Sequence, residues 1–64
     1  MADLITAPNI ARPDDVYQLF IDLHEGCTDE ESRKRDAKLI LTLVNHIGDE
    51  DVIRKAVSLV RGAG

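Results

Sequence analysis

His24, Cys27 and His46 are the side chains best suited to bind a metal or to move protons near neutral pH, and their spacing limits both. His24 and Cys27 stand three residues apart, while His46 falls at the end of the next helix that the sequence predicts. If those two helices run antiparallel, the histidines lie at opposite ends of a bundle. One end then offers two ligands, and a structural zinc site needs four. Both histidines also sit in last turns, where partial positive charge suits the helix dipole. Cys27 is the only cysteine, so no intrachain disulfide is possible, and a free loop thiol accounts for it. Ser32 and Ser58 have no neighbouring pattern of a nucleophile elbow or triad. Gly26, Gly48, Gly62 and Gly64 fall singly at helix ends and build no phosphate loop. No catalytic residue, cofactor or metal site is assigned, and the chain reads as non-enzymatic.

The elements that would position these residues come from 64 amino acids, room for one domain and a small core. Single cores of this size supply only about 3–5 kcal/mol, so small domains lean on disulfides, metals or oligomerisation. The disulfide route is closed here. The first residues, Met1-Ala2-Asp3-Leu4-Ile5, lack the basic and apolar segments of a signal peptide. No apolar stretch is longer than Leu39-Ile40-Leu41, far too short to cross a bilayer. The expectation is a cytoplasmic protein. Net charge is −4, but residues 1–31 carry eight acids against Arg12 alone, whereas residues 32–64 carry seven bases against four acids. An acidic half folded onto a basic half is the simpler expectation, and two patches offered to a partner the other.

Residues 1–12 lack helical spacing and read as an extended N-terminal arm. Pro13 opens helix one, with Asp14 and Asp15 favourably placed in its first turn, and the helix is expected over 13–25. Val16, Leu19, Phe20 and Leu23 share one face, and Gly26 stops it. Thr28-Asp29-Glu30-Glu31 reads as a capping box that starts helix two, over 28–47 and the longest. Its polar half places Asp29 before Arg33, Glu30 before Lys34 and Glu31 before Arg35, each four residues apart. Gly48 then ends helix two, and Asp49 caps helix three over 49–61. The fold class expected is all-α: a three-helix bundle with an arm.

These helices offer nineteen apolar positions, more than such a bundle needs at three or four per helix. In helix two alone, Ala37, Leu39, Ile40, Leu41, Leu43, Val44 and Ile47 spread over roughly 200°. By angle, the surplus falls on Tyr17 and Ile21 of helix one and on Leu39 and Leu43 of helix two, with His24 and His46 extending the two stripes. An apolar patch rimmed by charge marks an interaction site, so these six residues form the expected partner interface. Cover by the arm, through Leu4, Ile5 and Ile10, is the competing expectation.

The tight turn between helices two and three also allows a helix-turn-helix regulator of DNA. Its leading residues would be Asp49-Glu50-Asp51, which repel phosphates, while each base of Arg33-Lys34-Arg35 has an acid four residues upstream. Only Tyr17 and Phe20 are aromatic, too few for a base-stacking platform.

Ala7 to Tyr17 (Ala-Pro-Asn-Ile-Ala-Arg-Pro-Asp-Asp-Val-Tyr), the Thr28 to Ser32 cap and Asn45-His46-Ile47-Gly48-Asp49 resemble a family of short bacterial proteins of unknown function. The resemblance covers nearly the whole chain and implies a small helical protein, of a kind often encoded near flavin-dependent aromatic hydroxylases. It implies an accessory role beside such an enzyme, assigns no catalytic residue, and draws notice to Asn45 and His46, for which helix C-capping is the simpler role. The expectation is a protein-interaction module, a homodimer or an accessory subunit, with no membrane partner.

Overall fold

The computed structural model describes residues 3–62, which form three helices and no strand. Helix α1 spans Pro13–His24, α2 spans Asp29–Ile47 and α3 spans Glu50–Val60. Each boundary has a local cause. Pro13 stands in the first turn of α1, and Glu25 turns extended, so α1 stops one residue earlier than its spacing predicts. The capping box at the start of α2 is complete: the Thr28 hydroxyl accepts from the Glu31 N–H at 3.2 Å, and the Thr28 N–H donates to Glu31 Oε1 at 3.1 Å. At its other end Gly48 is left-handed (φ 63°), and its N–H bonds to the Val44 carbonyl at 3.0 Å. Backbone geometry at Gly48 therefore caps α2, and Asn45 and His46 are not needed for it. The Asp49 carboxylate caps α3 by accepting from the Val52 N–H at 3.1 Å.

Helices α1 and α2 form the packed pair. Val16, Leu23 and His24 are the half-buried positions of α1, and Ser32, Asp36, Leu39 and Val44 those of α2. Two polar bonds fix the pairing: His24 to Asp36, and the Arg35 guanidinium to the Leu23 carbonyl at 2.7 Å. Arg35 thereby serves α1 and not the expected pair with Glu31, whose carboxylate is bound to the cap. Of the three pairs expected along α2, Glu30 and Lys34 alone come into ion-pair range among the described residues, at 3.9 Å. Both members are well exposed, so the pair contributes little.

Helix α3 does not close the bundle. Among the described residues none is fully buried, and the accessible surface is 5847 Å². A compact monomer of this mass exposes about 4,100 Å². The radius of gyration tells the same story at 13.5 Å, against roughly 10.7 Å for a compact chain of this length. The arm offers limited cover. Leu4 is half-buried and Asp3 meets Lys55 at 3.3 Å, but Ile5 and Ile10 remain 64% and 56% exposed. The two charged halves are scarcely joined either. Beyond the local Glu30–Lys34 contact, the ion pairs that link them among the described residues are His24–Asp36 and Asp3–Lys55 alone. Helix α1 of the acidic half does lie against α2 of the basic half, but few of their charges pair.

Candidate functional site

An apolar groove lies between α2 and α3, with Leu4 of the arm in its lining. Ile40, Val44 and Ile47 recur at helical spacing and form the α2 wall, while Val52, Ile53, Ala56, Val57 and Val60 form the α3 wall. Arg61 adds only the aliphatic part of its side chain, so the lining is carbon throughout. Its volume is about 420 Å³. Along its α3 wall Val52, Ile53 and Ala56 are half-buried, and exposure rises to 51% at Val57 and 86% at Val60, farther from the Gly48 turn. The lining offers apolar surface and no polar group to orient a small molecule.

The six residues expected at the interface divide between two places. Tyr17, Ile21 and His24 do come together, with Phe20 and Glu25, around a shallow hollow on α1. Tyr17 is 66% exposed there and Ile21 44%. Leu39, Leu43 and His46 do not line that hollow. Leu39 is half-buried instead, on the stripe with Ser32 and Asp36 that α1 covers. Leu43, on the same stripe, keeps 47% of its surface. His46 is exposed, on the turn of α2 before Gly48. On α2 the groove takes Ile40, Val44 and Ile47, next to the Leu39 and Leu43 flank expected from angle. Helix α1 takes the Asp36–Leu39 side, so the centre of the arc, Ile40, Val44 and Ile47, faces α3, while Leu41 is left 68% exposed. That groove went unread in the sequence. Its signal was there, since a 200° apolar arc is wide enough for two neighbours at different angles.

His24 joins elements and is not a free binding group. Its Nδ1 donates to the Phe20 carbonyl at 2.7 Å, and its Nε2 meets Asp36 Oδ1 at 2.6 Å. Both partners are acceptors, so both bonds require the doubly protonated ring. The Asp36 carboxylate foremost, then the Phe20 carbonyl, raises the His24 pKa above its ordinary value. A ring engaged in this way has no lone pair for a metal. Cys27 lies nearby, half-buried, with Sγ 3.8 Å from the Leu23 and Glu25 carbonyls. Among the described residues no group of three or more metal-ligating side chains assembles.

Fold and surface together define a small, open, all-α domain with an apolar groove between α2 and α3. The chain matches the model of DUF2783, described as a protein of unknown function, over residues 4–62, and it belongs to that family. No curated protein and no solved structure matches it. No helix among the described residues is long and apolar enough to cross a membrane.

Proposed function

We propose that this chain is a non-enzymatic protein-interaction module of the bacterial cytoplasm, whose apolar surface is completed by another protein. The observation that carries this reading is the pairing of no fully buried residue with thirteen large apolar side chains left largely exposed among the described residues. Each such side chain gains about 1.5–3 kcal/mol when fully buried. A chain with so little sheltered surface is stabilised mainly by what docks on it. The partner is a second copy or, as an accessory subunit, an enzyme. Flavin-dependent aromatic hydroxylases, the setting implied by the family resemblance, are the first enzymes to try.

A photo-crosslinking residue placed at Leu41 or Val60, expressed in the native cell, is expected to give protein adducts. The same residue at Asp15 or Lys34 should give none. Absence of adducts at both apolar positions would remove the reading. The DNA-binding alternative gains no support from the geometry. Helix α3 would lead with Glu50 and Asp51, and Arg54 is already paired with Glu50.

A further inference from the structure

We propose that the groove between α2 and α3 is filled by α3 of a second copy of this chain, in a two-fold dimer. This rests on the interaction-module reading and names its partner. Three observations select that occupant. The groove lining carries no polar group, so it cannot satisfy the backbone of an extended peptide. Its occupant is therefore a helix, which satisfies its own backbone. Helix α3 supplies a matching one, with Val57 and Val60 in the groove lining and still exposed among the described residues. In a two-fold arrangement each α3 is at once wall and filling, so one surface serves both copies.

Area agrees with this. The chain exposes 5847 Å². That exceeds the surface of a compact monomer of its mass by about 1,700 Å². A stable pair needs about 800 Å² from each partner, an area that this excess exceeds. Charge gives the third argument. Helix α3 opens on Asp49, Glu50 and Asp51 and closes on Arg61. With the two α3 helices antiparallel, the acidic start of each lies toward the basic end of the other. A self-complementary dipole of this kind favours a second copy over an arbitrary helix.

Sedimentation of the 64-residue chain from micromolar to millimolar concentration tests this, alongside Val57→Asp, Val60→Asp and the control Leu19→Asp. The expected result is a reversible dimer whose dissociation constant rises about a hundredfold or more in either groove variant and little in the control. Val60 is so exposed that its replacement leaves the protomer intact, which keeps the test valid if Val57→Asp fails to fold. A folded wild-type monomer at millimolar concentration overturns the proposal, as does a dimer that neither groove variant weakens. Crosslinks from Leu41 or Val60 to other proteins, with such a monomer, would leave the interaction-module reading standing and remove only the second copy.

Discussion

His24 bonds to two oxygen acceptors at once, the Phe20 carbonyl on its own helix and the Asp36 carboxylate on the next. Only the cation can donate to both. The folded pKa is raised above the ordinary 6.5, so the tie is fully present below pH 6.5 and is lost as pH rises through the raised value. Glu31 behaves in the opposite sense. Bonds from the Thr28 N–H, then its hydroxyl, lower the Glu31 pKa below the ordinary 4.5. Its contribution is complete above pH 4.5 and disappears as pH falls through the lowered value. Both ties are therefore intact between pH 4.5 and pH 6.5. Urea midpoints followed by circular dichroism should be highest in that window. The decline above it should be shallower in His24→Gln, and an unchanged slope would show that the ring does not hold α1 to α2. Nothing in the sequence paired His24 with Asp36, since twelve residues and a turn separate them.

At the level of elements, local chemistry sets where each helix starts and stops. Thr28→Ala removes one arm of the α2 cap and should cost about 1 kcal/mol of stability. Gly48→Ala tests the turn differently. A Cβ there would meet only the Asn45 carbonyl, at an ordinary 3.8 Å, so the cost comes from holding alanine at φ 63°. That cost is about 1–2 kcal/mol. Denaturation of the two variants checks both figures, and a neutral Gly48→Ala would mean that the turn adopts another conformation. Such ends were legible because capping depends on residues three or four apart. Helix partners were less legible. The apolar arc of α2 was visible as an arc, but its division between Leu39 toward α1 and Ile40, Val44 and Ile47 toward α3 depends on the angles at two turns. Those angles arise from Gly26 to Thr28 and from Gly48, and no periodicity in α2 encodes them.

For the whole molecule the governing fact is shape. A principal extent of 40 Å against 26 and 24 Å describes a chain drawn out along one axis, with its apolar side chains spread over faces that do not meet. In the proposed dimer the burial of these side chains is part of stability itself, and a dimer's unfolding midpoint rises with protein concentration. Chemical unfolding across a hundredfold concentration range should show that rise in the wild type and lose it in Val60→Asp. A midpoint independent of concentration would mean that the open protomer is stable alone.

From its sequence alone this chain is all-helical, capped at Thr28 and Asp49, turned at Gly48, and supplied with more apolar side chains than three short helices can shelter. These properties come from contacts within a few residues or from counting, and neither depends on how the helices meet. Tertiary structure decided which of those side chains are left without cover. It turned Leu39 toward α1, tied His24 to Asp36, and opened the groove along Ile40, Val44 and Val57. The physical reason is that a helix fixes the angle of each side chain about its own axis, while only the turns fix the angle between axes.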